Sequence, residues 1–192
     1  MNEPVDRNLT PADPEPTEGS LADEQQQSPG IHPALEPIAW LVGTWWGFGV
    51  GGYPTIESFR YEQEITFGSD GRPFLRYESK TWLIDDDGNR LRPSGSELGW
   101  WRPGATAREL EVLIAHHTGI VEVYVGEVAF SKIELATDVV ARTSTAKDVG
   151  GLKRLYGQVE GDLAYAIDMA AVGQPLQSHL SARLQRVGTS SA

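Results

Sequence analysis

The segment Glu160-Gly161-Asp162-Leu163-Ala164-Tyr165-Ala166-Ile167-Asp168-Met169-Ala170 opens on a turn and continues with a period of two. Leu163, Tyr165, Ile167 and Met169 fall on one face of an extended chain, and Ala164, Ala166, Asp168 and Ala170 on the other. One apolar face opposite a mixed face is the pattern of a strand whose sheet covers a core on one side. Short runs rich in Val, Ile, Tyr, Trp and Thr recur upstream, near 56–67, 73–84, 96–102, 108–116, 120–126, 128–135, 138–144 and 152–159, and once more at 179–187. Turn residues separate them. Asp85-Asp86-Asp87-Gly88-Asn89 is the strongest hairpin signal, because Asp-Gly suits the positive φ of a tight turn. Arg102-Pro103-Gly104 and Thr118-Gly119 punctuate similarly. Nothing between these runs supports the crossover helices of a parallel sheet. The pattern predicts an all-β, antiparallel domain, which must either stack two sheets or close one into a barrel.

The chain has 192 residues, enough for one domain and a tail. Residues 1–34 hold six of the twelve prolines and seven acids against the single base Arg7, so the tail carries more than half of the net charge of -11. Such a segment buries too little apolar surface to offset its ordering entropy, and it reads as disordered; residues 35–192 form the folded domain. Ile38-Ala39-Trp40-Leu41 suggests a short helical turn before the first strand.

An acidic protein is a poor partner for nucleic acid or an anionic membrane. Cysteine is absent, which excludes disulfides, iron–sulfur clusters, thiolate ligation and cysteine nucleophiles. No apolar stretch approaches the roughly 20 residues of a membrane span, and the N-terminus lacks the basic start and apolar core of a signal peptide. The expected location is the cytoplasm.

Gly47-Phe48-Gly49-Val50-Gly51-Gly52 fits the spacing of a dinucleotide-binding loop, but Tyr53-Pro54 and strand-like sequence follow where that loop needs a helix. It reads instead as a glycine-rich first strand. Trp45 is large enough to plug one end of a barrel, with glycines letting neighbouring backbone approach it. Ser178 and His179 make no triad by adjacency, and the carboxylates are scattered with no spacing that singles out an acid/base pair.

Two segments do carry chemistry. Gly43-Thr44-Trp45-Trp46-Gly47-Phe48-Gly49 is a G-x-W-x-G-x-G run followed by Tyr53-Pro54-Thr55-Ile56, and Val172-Gly173-Gln174-Pro175-Leu176-Gln177-Ser178-His179-Leu180 lies near the other end. Together they resemble the nitrobindin family of haem-binding β-barrels, over roughly residues 37–187. The resemblance implies a closed antiparallel barrel of about ten strands, related to fatty-acid-binding proteins and lipocalins. It implies one haem b per chain with His179 as axial iron ligand, Thr55 and Met169 at the haem, and Lys147, in Thr145-Ala146-Lys147, near a propionate. Gly43, Trp45, Gly47 and Gly49 are the motif positions. The implied activity is isomerisation of peroxynitrite to nitrate by ferric haem, with reversible binding of nitric oxide.

Each residue also has a plainer reading. Met169 suits ordinary core and Lys147 a solvated surface. His116 and His117 are adjacent, so on a strand they face opposite ways and cannot share one metal; the family resemblance adds a pocket role for His116. For His179, strict alternation puts Leu180, Ala182 and Leu184 on one face and His179, Ser181 and Arg183 on the other, so leucines facing inward would turn His179 out. Either His179 ends the preceding loop, which Pro175 favours, or a bulge re-aims it. The haem is then expected at the barrel mouth. A non-catalytic haem carrier or nitric oxide sensor, and a haem-free lipid- or metabolite-binding barrel, remain alternatives. The oligomeric state is open, a homodimer included.

Overall fold

The structure is a computed structural model that describes residues 30–188. Residues 1–29, most of the expected tail, lie outside it. Ten strands follow a 3-10 helix (Pro33–Leu41): β1 (Gly43–Tyr53), β2 (Ile56–Gly68), β3 (Leu75–Ile84), β4 (Arg90–Pro103), β5 (Glu109–His116), β6 (Ile120–Ala129), β7 (Lys132–Arg142), β8 (Val149–Val159), β9 (Asp162–Ala171) and β10 (Gln177–Arg186). Each pairs antiparallel with its neighbours in sequence, and β1 pairs with β10, so the sheet closes on itself without an edge. Of the two all-β arrangements the pattern allowed, the observed one is the closed barrel that the family resemblance implied.

Alternation on β9 is as read: Leu163, Tyr165 and Ile167 are buried in the interior. The hairpin at Asp85–Asn89 forms with Gly88 at φ 86, its N–H donating to Asp85 O. Two expectations are corrected. The runs 128–135 and 138–144 are not separate strands: β6 continues to Ala129, and the chain turns at Phe130-Ser131 with Phe130 at φ 55 and its ring fully exposed. A phenylalanine in left-handed conformation gives no turn signal in sequence. β4 begins at Arg90 rather than residue 96. Pro93 pairs with Trp82 where the β3–β4 register shifts, and an irregular position tolerates a residue that cannot donate.

The helix starts at Pro33, inside the segment read as tail, with His32 Nδ1 accepting from Ala34 N at 3.2 Å. It rests on β4 and β6 and seals one end of the barrel. Leu35, Ile38 and Leu41 are fully buried with Trp45, whose indole N–H donates to Leu41 O at 2.7 Å. The Arg186 guanidinium lies 4.1 Å from the centroid of the Trp45 ring and donates to Trp40 O. Trp45 thus closes one end, while the motif glycines serve other neighbours. A Cβ at Gly47 would stand 2.5 Å from Arg183 O and 3.0 Å from Leu184 Cα; one at Gly49 would strike the Tyr61 phenol and stand 2.6 Å from Ser181 O. The glycines let β10 and the Tyr61 side chain lie against β1.

Candidate functional site

The open end lies at the other end of β1 from Trp45. Gly52 is seven residues along the strand, about 23 Å at the usual rise. There β10 carries a bulge. Ser178 pairs with Asp168 and Leu180 with Ile167, so His179 is the extra residue between them. The bulge resolves the conflict in the alternation: Leu180 and Leu184 face the interior, and His179 does too. The strand begins at Gln177, so His179 does not end the preceding loop as Pro175 suggested; the bulge re-aims it.

The His179 ring is half-buried, with Nδ1 3.0 Å from the carbonyl oxygen of Gly52. A carbonyl only accepts, so Nδ1 carries the proton and Nε2 keeps a free lone pair. Burial pushes the His179 pKa below its ordinary value; the Gly52 carbonyl opposes this, and Lys147 and Arg154 add to it. The imidazole is therefore neutral near pH 7. The Tyr53 ring packs edge-on against it, centroids 5.5 Å apart. The Tyr53 hydroxyl donates to Met169 O at 3.0 Å and accepts from Ala171 N at 2.8 Å, tying the end of β9 to the end of β1.

His179 lines two adjoining cavities, an outer one of about 480 Å³ and an inner one of about 340 Å³. Lys147, on the loop between β7 and β8, and Met169 on β9 line both, as do Ile120 and Val149. Thr55, exposed at the β1–β2 turn, lines the outer cavity. His179, Thr55, Lys147 and Met169 are thus gathered around one opening. Gly43, Trp45, Gly47 and Gly49 are not part of it.

The inner cavity holds a polar group that sequence spacing missed. Arg154 on β8 donates to both carboxylate oxygens of Glu97 on β4 at 3.1 Å and to Glu122 on β6 at 3.0 Å. Its Nε donates to the Tyr124 hydroxyl at 2.7 Å, and that hydroxyl donates to Glu122 at 2.6 Å. His116 on β5 sets Nε2 3.0 Å from Glu122 Oε2 and Nδ1 3.6 Å from Glu97 Oε1. The Nε2–H is poorly aligned for a hydrogen bond, so the contact is an ion pair by proximity. Burial raises the Glu97 pKa, but Arg154, His116 and the Tyr77 hydroxyl more than reverse this and hold it at about 2. Glu122 is likewise lowered against burial, by His116 and Arg154. Burial lowers the His116 pKa, and Glu122 and Glu97 outweigh it, so the net shift is upward. Two ionised carboxylates against one guanidinium would leave a net buried charge, which His116 offsets when it carries a proton.

The sequence held a signal for this group. Glu122 sits between Ile120 and Tyr124, and Arg154 between Leu152 and Tyr156, each a charge at an inward position of an alternating strand. His117, the neighbour of His116, is exposed. Among the described residues no group of three or more acidic or histidine side chains is arranged to hold a metal ion; a single imidazole with a free nitrogen would suit a haem iron, for which the porphyrin itself supplies most of the ligands.

The comparisons with known proteins agree with this arrangement. The profile of the THAP4-like, heme-binding beta-barrel domain matches residues 34–186. A protein of Nocardioides sp. named peroxynitrite isomerase is 54% identical over 156 residues, covering 81% of this chain and 94% of its own. One of Salinispora arenicola, with the same name, is 50% identical over 185 residues, covering 94% and 93%. The crystal structure of Rv2717c from M. tuberculosis superposes with a TM-score of 0.73 at 39% identity, over 83% of this chain and all of that one. With its closed ten-stranded barrel and matching profile, the chain belongs to the THAP4-like haem-binding β-barrel domain family, the nitrobindins.

Proposed function

We propose that this protein binds one haem b at the barrel mouth through His179 Nε2, converts peroxynitrite to nitrate, and reversibly binds nitric oxide. The observation that carries the reading is the His179–Gly52 hydrogen bond: it fixes the tautomer a metal ligand needs and leaves the other nitrogen free at a cavity. The names of the Nocardioides and Salinispora relatives support the activity.

When bound, ferric haem would supply a Lewis-acidic iron, which His179 Nε2 would hold. The remaining parts belong to the chain. Gly52 and Tyr53 hold the imidazole in orientation. Ile120, Val149 and Met169 offer apolar walls that keep water from the reacting end. Lys147, solvent-exposed at the rim, offsets the charge of a propionate. Thr55 lines the outer wall. Peroxynitrite and nitrate have the same atoms and the same charge, so the conversion requires no net proton or electron. No side chain needs to act as acid or base, and no reductase is required.

The inner cavity weighs against a lipid-carrying role. A fatty acid needs an apolar bed for its tail and a free cation for its head; here Arg154 is spent on Glu97 and Glu122.

Stopped-flow decay of peroxynitrite tests the proposal. Haem-loaded protein should accelerate decay and raise nitrate yield, while haem-free protein and His179→Ala should not, and cyanide should suppress the effect. Equal rates with and without haem would leave a carrier or sensor in its place.

A further inference from the structure

All six tyrosines of the chain are buried, none more than 7% exposed, and there is no cysteine. Four of them, Tyr61, Tyr77, Tyr156 and Tyr165, line the inner cavity that His179 also lines. Their rings are not scattered. Tyr77 packs on Trp101 with centroids 6.1 Å apart, Trp101 on Tyr156 at 5.2 Å, and Tyr156 on Tyr165 at 5.7 Å. The Tyr165 and Tyr61 hydroxyls are 2.7 Å apart. These are contact distances for aromatic pairs. The backbone of β4 joins the stack to the outer surface: Trp100, the residue before Trp101, faces the opposite way and is 50% exposed outside, while Trp101 is fully buried inside.

We propose that the stack of Trp101, Tyr77, Tyr156 and Tyr165 is a one-electron oxidation path between the cavity and exposed Trp100, and that Tyr77 is the residue on which the oxidising equivalent comes to rest. Proton acceptors decide the resting place. A phenol that loses an electron becomes a strong acid, and in an apolar interior the charged ring is costly unless its proton leaves at the same time. Tyr77 donates to Glu97 Oε2 at 2.7 Å, and Glu97 is ionised. Tyr165 donates to the Gln63 amide oxygen and Tyr156 accepts from Arg154, so neither has a base. The Trp101 indole N–H is buried with no hydrogen-bond partner, so an oxidised Trp101 keeps its proton and its charge and passes the vacancy on. Tyr124 has a carboxylate, Glu122, but the Arg154 cation lies 5.2 Å from its ring, which disfavours a hole there.

The step balances as follows. The oxidant takes one electron from Tyr77 and is reduced; the Tyr77 O–H bond breaks, its proton forms a new O–H bond on Glu97, and a neutral phenoxyl radical remains. The oxidant class is small one-electron oxidants such as nitrogen dioxide, which becomes nitrite, or the carbonate radical, which becomes carbonate. Homolysis of peroxynitrite and of its carbon dioxide adduct yields both. The supply of oxidant at the cavity rests on the function proposed above; the path itself rests on geometry alone.

Pulse radiolysis of the full-length, haem-free protein with azidyl radicals tests the path, since these oxidise exposed indole first. In the native chain, tryptophanyl absorption should decay while phenoxyl absorption grows, at a rate independent of protein concentration. Tyr77→Phe keeps the ring and the packing but should lose the phenoxyl growth, and Glu97→Gln, which keeps an acceptor but no base, should slow it. Tyr124→Phe should leave it unchanged. Circular dichroism of each variant confirms the fold first, and Trp101→Phe provides a second interruption of the stack. The proposal is overturned if the native chain shows no first-order transfer, or if folded Tyr77→Phe and Trp101→Phe transfer at native yield and rate. Neither haem nor peroxynitrite enters the experiment, so its outcome is separable from that of the isomerase reading.

Discussion

His179 Nδ1 and the carbonyl oxygen of Gly52 meet at 3.0 Å across the seam where β10 closes onto β1. The bond joins a bulged residue of one strand to the end of the other, and it makes a ring nitrogen available at the mouth. The first prediction follows from it. His179→Ala should abolish the normal ferric Soret spectrum and weaken haem binding by more than about 100-fold, beyond the 10–100-fold typical of losing a ligand's supporting partner. His117→Ala, at an exposed side chain, should do far less. Haem titration followed by absorbance decides between them, with circular dichroism to show an intact barrel.

Tyr53→Phe keeps the ring against His179 but strands the Met169 carbonyl and the Ala171 N–H. Stability should fall by about 1–3 kcal/mol, the usual cost of unsatisfied buried polar groups. Urea unfolding measures this; a change below a few tenths would show that the clamp is idle.

Arg154→Met should be among the most damaging single changes, because it leaves Glu97 and Glu122 buried together without their shared cation. About 3–5 kcal/mol is expected from breaking a buried ion pair. If the unfolding midpoint hardly moves, the interior charges are better hydrated than their burial indicates.

The same cluster sets a pH dependence on both sides. His116 holds its proton more tightly folded than unfolded, so its contribution is full below its ordinary pKa of 6.5 and is lost as pH rises through the elevated folded value. Glu97 works in the opposite sense: its contribution is present above 4.5 and is lost as pH falls toward about 2. Melting temperatures recorded from the acid to the mildly alkaline range should show both limbs. His116→Gln should flatten the alkaline limb and Glu97→Gln the acid one; an unchanged alkaline limb in His116→Gln would assign it to another group.

Gly49→Ala should displace the Tyr61 phenol and with it the bond to Tyr165, since the added methyl has Ser181 O 2.6 Å away on its other side. Overpacking of this kind costs about 1–3 kcal/mol. Thermal melting measures the loss, and near-ultraviolet circular dichroism should register the moved tyrosine.

What was legible in the sequence was whatever depends on a period of two and on turn chemistry. Leu163 to Met169 fixed a face, and Asp85 to Asn89 fixed a hairpin, because both are local. Phe130 hid a turn because nothing in its side chain favours positive φ, and Pro93 hid part of β4 because its irregular pairing is visible only beside Trp82. The residues singled out by the family motifs, His179, Thr55, Lys147 and Met169, lie around one mouth, but the bulge that turns His179 inward is a relation to Asp168 and Ile167 on the neighbouring strand. Glu97, His116, Glu122 and Arg154 come from four strands and meet only when the barrel closes. Their one local trace was a charge at an inward position of β6 and of β8.

Gly52 and His179 are separated by 127 positions, with nearly all of the barrel strung between them. During synthesis the chain exposes β1 early and β10 last, so the site comes into being only when the final strand leaves the ribosome and zips the two ends together. A haem held at His179, as proposed, would load only once β10 has joined β1. A ligand gripped at that seam binds the closed barrel and not the open chain, so each increment of haem affinity also fastens the last seam to form.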